Sequence, residues 1–233
     1  MSPGVGGVGA LVAPGGARQV IVATRNPGKV RELTPMLAAA GLVAVTLTDA
    51  GVAPAEDEEA VESFETFEAN AIAKARYFSA RAHGALVLAD DSGLCVDALR
   101  GAPGVHSKRW AVDAGESSAE GHALDAANNA KLVRELAAIA TADQRSARYV
   151  CVAAIVRGGA RAVELTARGE CRGRILERPS GDDGFGYDPY FLSDELGVSF
   201  GVASIDTKAF ISHRGRAVRA VLRRFEEIVT RNR

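Results

Sequence analysis

The chain of 233 residues is long enough for one sizeable hydrophobic core or for two small lobes that share a sheet. Hydrophobic residues make up 47% and charged residues 24%, which is typical of a folded globular domain and excludes a disordered or fibrous chain. The 28 Lys and Arg residues are balanced by 29 Asp and Glu residues, so there is no overall basic charge that would predict binding to nucleic acid.

The three cysteines, Cys95, Cys151 and Cys171, lie far apart in the sequence. Their odd number and their spacing predict neither a disulfide framework nor a zinc site, and they suit a reducing cytoplasm. No apolar run approaches the roughly 20 residues of a membrane-spanning helix, so no membrane partner is expected. Segment 1–17 is rich in Gly, Ala, Val and Pro and lacks the features of a signal peptide. We interpret it as a flexible leader before a single domain over residues 18–233.

The first half of this domain alternates between strands and helices. In chain order, the apolar patterns predict a strand over 18–24, a helix over 29–40, a strand over 42–47, a helix over 67–81 and a strand over 85–89. Residues 49–62 are interpreted as a loop, and the acidic run from Glu56 to Glu59 as a solvated surface.

The second half contains a helix, a hairpin, a loop and a last helix. In order, the sequence predicts a helix over 128–140, antiparallel strands over 147–157 and 162–170, a loop rich in Gly and Asp over 179–189, and a helix over 214–231. This succession predicts an α/β fold with a mixed β-sheet flanked by helices.

A polar turn joins the first strand to the first helix. Its residues are Thr24, Arg25, Asn26, Pro27, Gly28 and Lys29. The start of a helix offers unpaired N–H groups, Gly28 allows close approach of the backbone, and Lys29 adds a full positive charge, so the turn suits a phosphate. The motif is not a Walker P-loop, and Asn-Pro-Gly on its own is more often a simple turn.

Two adjacent carboxylates, Asp90 and Asp91, follow the strand over 85–89 and precede Ser92. Because neighbouring strand residues face opposite sides, at most one of them is expected to face a cleft. A carboxylate beside phosphates is an oxygen ligand of the kind that Mg²⁺ prefers, which makes Asp91 a candidate metal ligand. Glu62 and Glu65, which lie nearer the next helix than the acidic run does, are candidates to help Asp91 hold the metal. An Asx turn that ends the strand explains the Asp-Asp-Ser-Gly sequence about equally well.

Two further clusters combine residues that suit a nucleobase. The first is a loop with Phe185, Gly186, Tyr187 and Asp188. An aromatic ring stacked on a base contributes roughly 1–3 kcal/mol, although a hydrophobic plug for the loop is a strong alternative. The second lies around the start of the last helix and comprises Lys208, His213 and Arg214. A neutral imidazole and a planar guanidinium suit an oxo-bearing heterocycle or a phosphate, although each basic residue taken singly is more often a surface residue.

Taken together, six motifs resemble those of the inosine triphosphate pyrophosphatase family, whose members hydrolyse non-canonical purine nucleoside triphosphates. The motifs, in the family's order, are residues 24–29, Thr66-Phe67 with Asn70-Ala71 and Lys74-Ala75, 89–94, 101–104 with Ser107 and Arg109, 184–189, and 212–214. The likeness covers the chain from about residue 20 to residue 225.

The resemblance implies an elongated mixed sheet with two lobes around a central nucleotide cleft, a requirement for Mg²⁺ and a homodimer. It implies that turn 24–29 holds the triphosphate, that Asp91 is the catalytic carboxylate and a metal ligand, and that Ser92 contacts the substrate. The residues that it implies for binding the base and sugar are Phe185, Gly186, Tyr187, Asp188, Lys208, His213 and Arg214.

The sequence departs from the family pattern at several positions. Members usually have a compact Glu-x-Gly step before Thr-Phe, whereas this segment is longer. Spacing selects Glu62 as the second metal carboxylate, with Glu65 and Glu56 as alternatives. Ala69 stands where an acidic residue often precedes the Asn-Ala pair, and Lys108 stands where members usually carry Ala.

The resemblance predicts cleavage of ITP, dITP or XTP between the α and β phosphates, which removes these nucleotides from the pool. One alternative is a Maf-like pyrophosphatase that acts on pyrimidine or modified nucleotides, which the Phe-Gly-Tyr-Asp and Ser-His-Arg segments disfavour. The other is a nucleotide-binding module that does not hydrolyse. The pair Asp90 and Asp91 disfavours it, because carboxylates beside a triphosphate help binding only when a metal is also bound.

Overall fold

The computed structural model describes residues 18–139, 141–160 and 162–231. The predicted leader 1–17 lies outside the described residues. Across those three ranges, no helix is long and apolar enough to cross a membrane.

A six-stranded mixed sheet lies at the centre of the described chain. Its strands are β1 Arg18–Val22, β2 Leu42–Thr46, β3 Val87–Val96, β4 Ser146–Arg157, β5 Val163–Ile175 and β6 Phe191–Ser193. They lie in the order β2-β1-β3-β4-β5-β6. Strand β1 is parallel to β2 and β3, and the other neighbouring pairs are antiparallel. The predicted α/β fold with a mixed sheet is confirmed.

Helices and short 3₁₀ turns connect and cover the strands. The α-helices are α1 Pro27–Ala39, α2 Phe67–Arg81, α3 Trp110–Asp113, α4 Gly121–Glu135, α5 Ile205–Ile211 and α6 His213–Arg231. The 3₁₀ segments are Glu56–Glu62, Asp97–Leu99, Gly104–His106, Ala142–Arg145 and Asp188–Tyr190.

Both faces of the sheet are covered near β1. Val20 and Val22 pack in a core with α1 and α6, whereas Ile21 packs in a second core with α2. This alternation follows from the period of two along a strand, and burial of both faces explains why the second half of the strand, Val20 to Val22, is continuously apolar.

Strand β3 runs further than predicted. It continues from Val87 through Asp90 and Asp91 to Val96, because β4 pairs with it along its whole length. Strand β1 pairs with β3 only as far as Leu88. The two carboxylates therefore do not end the strand in an Asx turn. They lie within β3, on the edge that β1 leaves open.

Two other predicted elements also differ. Residues predicted as part of a loop form the 3₁₀ helix Glu56–Glu62, and the helix predicted over 128–140 is α4, Gly121–Glu135. The first turns of α4 leave their side chains exposed or half-buried, so no apolar periodicity marks them. Helices α3 and α5 and strand β6 are short, and the sequence did not predict them.

Gly93 allows the turn after β3 to pack against the strand. A Cβ atom at this position would lie 2.2 Å from the Gly104 carbonyl oxygen and 2.4 Å from Ser107 Oγ. The Ser107 hydroxyl in turn accepts a hydrogen bond of 2.9 Å from the Leu94 amide.

We therefore expect Gly93→Ala to destabilise the protein by about 1–3 kcal/mol, because backbone atoms must move to admit the methyl group. Urea unfolding should show a lower midpoint with an unchanged m-value. An unchanged midpoint would contradict the close packing of this turn on β3.

Candidate active site

A cavity of about 360 Å³ lies at the open edge of β3. Apart from Pro27, Gly28 and the alternative metal carboxylates Glu56 and Glu65, the site residues predicted above line it. Those that line it are Thr24, Arg25, Asn26, Lys29, Glu62, Asp91, Ser92, Phe185, Gly186, Tyr187, Asp188, Lys208, His213 and Arg214. The cationic turn and the acidic strand thus share one opening.

The turn before α1 is shaped by Asn26, which caps the helix. Its Oδ1 accepts hydrogen bonds from the amides of Gly28 at 2.8 Å and Lys29 at 3.3 Å. These two amides are therefore occupied, and the turn offers the cavity the charge of Lys29 more than free N–H groups. Gly28 is needed for another neighbour, since a Cβ there would lie 2.9 Å from Phe185 Cδ1.

The acidic run is more than a solvated surface. Glu58 accepts hydrogen bonds from Arg25 Nε at 3.1 Å and Nη2 at 2.8 Å, and its Oε1 also accepts from Arg81 at 3.0 Å. These pairs connect the turn before α1 to the 3₁₀ helix Glu56–Glu62 and to α2. The predicted phosphate ligand Arg25 therefore has a carboxylate partner in the protein itself.

Asp90 is the buried centre of an ion-pair network. Its Oδ2 lies 3.0 Å from Lys29 Nζ and 3.1 Å from Arg214 Nε. Arg214 also donates to Glu32 and, at 2.9 Å, to Ser92 Oγ. Burial acts to raise the pKa of Asp90, but the charges of Lys29 and Arg214 dominate and hold that pKa below its usual range.

Asp91 faces the other side of β3, towards α2. Its Oδ2 accepts a hydrogen bond of 3.0 Å from Asn70, and its Oδ1 accepts one of 2.9 Å from the Ser92 amide. Burial raises the pKa of Asp91 to about 6, and the nearby charge of Glu62 adds to the rise although Lys29 opposes it. Asp91 therefore titrates close to neutrality, as a group suited to accept a proton does.

Glu62 lies with Asp91 at the cavity. It forms an ion pair of 2.6 Å with Lys74, which outweighs the effect of burial and lowers the pKa of Glu62. The two alternatives, Glu56 and Glu65, are exposed and do not line the cavity.

The side chains that could coordinate a metal ion are few in this cavity. No group of three or more His, Cys, Asp or Glu side chains in the described ranges is arranged to hold a metal ion. Mg²⁺ is usually bound through one or two carboxylates together with water and substrate phosphates. Asp91 and Glu62 supply two carboxylates at the cavity, which is enough for a Mg²⁺ site of this open kind.

The aromatic loop is fixed by its own polar groups. Asp188 accepts hydrogen bonds from Lys208 at 2.9 Å and from the Tyr149 hydroxyl at 3.2 Å. Gly184 has a φ of +86°, and a Cβ there would lie 2.2 Å from Asp188 Oδ2. The Tyr187 hydroxyl donates to the Ser107 carbonyl at 2.9 Å. These contacts fix the conformation of the loop. The ring of Phe185, in the same loop, is half-buried.

His213 is buried and uncharged. Its ring is parallel to that of Tyr149, with 4.5 Å between the centroids. Burial, followed by the charge of Arg214, lowers the pKa of His213 well below its usual value. Its Nδ1 is buried without a hydrogen-bond partner among the described residues. A neutral imidazole with an unpaired nitrogen at the cavity is suited to read a polar ligand.

Several lining residues had no predicted role: Glu32, Glu58, Asn70, Lys74, Lys108, Arg109, Asp125 and Tyr149. Asn70 and Lys74 were part of a recognised motif. They are spaced by four residues among buried Ala residues of α2, and such buried polar residues on an apolar helix face were a usable signal. Glu32 gave no such signal, because its partner Arg214 is remote in sequence.

Comparison with known proteins gives consistent matches. The Ham1 family matches residues 20–224. The dITP/XTP pyrophosphatase of Ralstonia nicotianae is 44% identical, covering 89% of this chain and 96% of that protein. The dITP/XTP pyrophosphatase of Burkholderia pseudomallei is 42% identical, covering 93% of this chain and 98% of that protein.

Solved structures agree with these matches. A HAM1 protein from Coxiella burnetii superposes with a TM-score of 0.72 at 32% identity, covering 90% of this chain and 98% of that chain. A nucleoside-triphosphatase, also named dITP/XTP pyrophosphatase, from Mycobacterium abscessus gives a TM-score of 0.63 at 38% identity. The match covers 88% of this chain and 98% of that chain.

The fold and the sequence matches therefore define the class of protein. The chain belongs to the Ham1 family. This membership confirms the resemblance predicted from the six motifs, and the names of the relatives agree with the predicted enzyme class, a nucleoside triphosphate pyrophosphatase.

The opposite environments of the two carboxylates predict opposite effects on stability in metal-free protein. Folding raises the pKa of Asp91 from 3.8 to about 6, so its ionisation destabilises the fold as the pH rises to about 6. Asp91→Asn should therefore increase the free energy of unfolding at pH 7.5, by up to about 3 kcal/mol. That gain should disappear between about pH 6 and pH 4.

Asp90→Asn is the matched comparison. It leaves Lys29 and Arg214 without their shared carboxylate, so it should lower the free energy of unfolding by about 3–5 kcal/mol at pH 7.5. Urea unfolding of both variants with a chelator present measures the two effects. Equal destabilisation by both would show that the two sites do not differ as described.

Proposed function

We propose that this chain hydrolyses the non-canonical purine nucleoside triphosphates ITP, dITP and XTP to the monophosphate and pyrophosphate. The proposal rests chiefly on one observation, that Lys29, Asp91 and Glu62 line the same cavity as the aromatic loop. Such a cavity can receive a polyphosphate and a base together. The names of the relatives, dITP/XTP pyrophosphatase, support the same substrates.

Asp91 is the proposed catalytic residue. A water molecule attacks the α phosphorus, a new O–P bond forms, and the bond to the oxygen that bridges the α and β phosphorus atoms breaks. Asp91 orients this water or accepts its proton on a carboxylate oxygen. The Asn70 side chain and the Ser92 amide hold the carboxylate in place.

Mg²⁺, held by Asp91 and Glu62, would neutralise phosphate charge and lower the pKa of a bound water. Lys29 binds and stabilises the negative charge of the departing pyrophosphate. Because Lys29 is also paired with buried Asp90, its ammonium is already positioned before substrate enters.

Base selection is proposed to depend on hydrogen-bond polarity. Hypoxanthine and xanthine carry a 6-oxo acceptor, whereas adenine carries a 6-amino donor. The nitrogens Nε, Nη1 and Nη2 of Arg214 already donate within the protein, so neutral His213 and backbone N–H groups are the better candidates for reading the oxo group. An unmatched polar group at such a buried site costs roughly 1–3 kcal/mol.

The assembly and the location are proposed on separate grounds. The homodimer follows from the family resemblance. The proposed cytoplasmic location is supported by the three cysteines, which are free and buried and suit a reducing compartment.

A substrate panel separates the proposal from its alternatives. With Mg²⁺, we expect pyrophosphate release from ITP, dITP and XTP to exceed that from dATP, dGTP and dTTP, and we expect no release without the metal. Preference for dTTP would favour the Maf-like alternative. Binding without hydrolysis of any nucleotide would favour the regulatory module.

Asp91→Asn should abolish pyrophosphate release at saturating Mg²⁺, because it removes the proposed proton acceptor. Asp97→Asn is the control, since Asp97 is exposed and pairs with Arg148 outside the cavity. Near-normal turnover in Asp91→Asn would refute its assignment.

Glu62→Gln should raise the Mg²⁺ concentration for half-maximal activity at least about tenfold, because one of two metal carboxylates is lost. Glu65→Gln offers a control only three residues away, with an exposed side chain that does not line the cavity. Titration of activity with Mg²⁺ measures both. If Glu65→Gln gave the larger change, the second metal ligand would be Glu65.

A further inference from the structure

Helix α4 contacts the aromatic loop, residues 184–188, through two polar side chains. The carboxylate of Asp125 accepts a hydrogen bond of 3.3 Å from the Gly186 amide. The side-chain amide of Asn129 donates one of 3.0 Å to the Gly186 carbonyl. Because Asp125 and Asn129 are four residues apart, they lie on one face of the helix. Both backbone polar groups of Gly186 are therefore held from α4.

The contact lies where the aromatic loop faces the cavity. Phe185, Gly186 and Tyr187 line the cavity, and so does Asp125. Gly186 has a φ of +61°, a conformation that glycine adopts without strain. The contacts within the loop hold Tyr187 and Asp188, whereas α4 holds the residue between Tyr187 and the half-buried Phe185. The two α4 contacts therefore constrain the ring that is suited to stack on a base.

Helix α4 is itself anchored on two sides. Its Leu132 is fully buried in one core cluster with Tyr187 and Phe191. Its Asn128, which is also buried, accepts a hydrogen bond of 2.8 Å from the Ala111 amide. The helix can thus serve as a fixed support for the loop.

The side chain of Asn129 is oriented by its contact with the loop. Its Oδ1 is buried and has no hydrogen-bond partner among the residues that the structure describes. Burial of an unpaired acceptor is unfavourable, so this oxygen does not explain the orientation of the side chain. The bond from Nδ2 to the Gly186 carbonyl does explain it.

We propose that Asp125 and Asn129 are positioning residues, which hold the aromatic loop in the arrangement that binds the base of the substrate. The proposal rests on the function proposed above. Neither side chain needs to touch the ligand, because each acts through the backbone of Gly186. Loss of either contact should therefore weaken binding of the base and leave binding of the phosphate chain unchanged.

Two ligands separate these effects. IMP carries the base with one phosphate, and inorganic triphosphate carries phosphates without a base. In Asp125→Ala and in Asn129→Ala, we expect the Kd for IMP, measured by calorimetry, to rise about three- to tenfold, the range for one lost hydrogen bond. The Kd for inorganic triphosphate should stay within about twofold. The KM for ITP should rise with the Kd for IMP, while kcat stays within about twofold.

Hydrogen exchange measures the state of the loop without any ligand. We expect the Gly186 amide to exchange faster in Asp125→Ala than in the unmodified protein, because it loses its acceptor. Asp125→Asn should restore both slow exchange and IMP binding, because the oxygen of the substituted side chain can also accept the hydrogen bond.

His122→Ala is the matched control on the same helix. His122 is exposed in the first turn of α4 and does not line the cavity, so its loss should change none of these measurements. Melting curves show whether each variant is folded. If Asp125→Ala does not fold, the comparison of Asn129→Ala with His122→Ala still decides the proposal.

Equal weakening of IMP and inorganic triphosphate binding would overturn the proposal, and so would unchanged IMP binding in both alanine variants. Unchanged exchange of the Gly186 amide in Asp125→Ala would overturn it as well. If Asp125→Asn weakened IMP binding as much as Asp125→Ala while exchange stayed slow, Asp125 would contact the base directly and its positioning role would be wrong.

The proposed function can fail separately. If the unmodified protein binds IMP but hydrolyses no nucleoside triphosphate, the proposed function is wrong, whereas IMP binding and Gly186 exchange still decide the role of the two residues. If the unmodified protein binds no IMP, the positioning role is overturned together with the proposed base site.

Discussion

The buried carboxylate of Asp90 is the contact on which the rest of the site depends. It joins Lys29 on α1 to Arg214 on α6 from the middle of β3. A carboxylate buried this deeply is tolerated only with charged partners, so the three elements are held in one arrangement. The cavity forms where β1 has ended and β3 continues, because there the strand edge is free to face a ligand.

Two neighbouring residues with the same side chain have opposite properties. Asp90 faces α1 and α6, and its cationic partners lower its pKa. Asp91 faces α2, where burial and the carboxylate of Glu62 raise its pKa, although the hydrogen bond from Asn70 opposes the rise. The pleat of one strand thus separates a carboxylate with a lowered pKa from one with a raised pKa, and the latter is the proposed catalytic residue.

Ion pairs also place the more distant parts of the site. Glu58 holds Arg25 and Arg81, and thereby fixes the 3₁₀ helix that ends at Glu62. Asp188 and Lys208 fix the aromatic loop in the same way. Most cations of the cavity are therefore paired with carboxylates of the protein itself.

The sequence by itself determined the alternation of strands and helices and the polar turn at residues 24–29, and its motifs named most of the predicted residues that line the cavity, because apolar periodicity, turn residues and charged motifs are local. It could not determine that β3 continues through Asp91, since that depends on pairing with β4. Nor could it show that Arg214 reaches Asp90 and Glu32, which lie far away in the chain. Those contacts were decided by the tertiary structure, because burial and pairing over long sequence distances exist only once the sheet has formed.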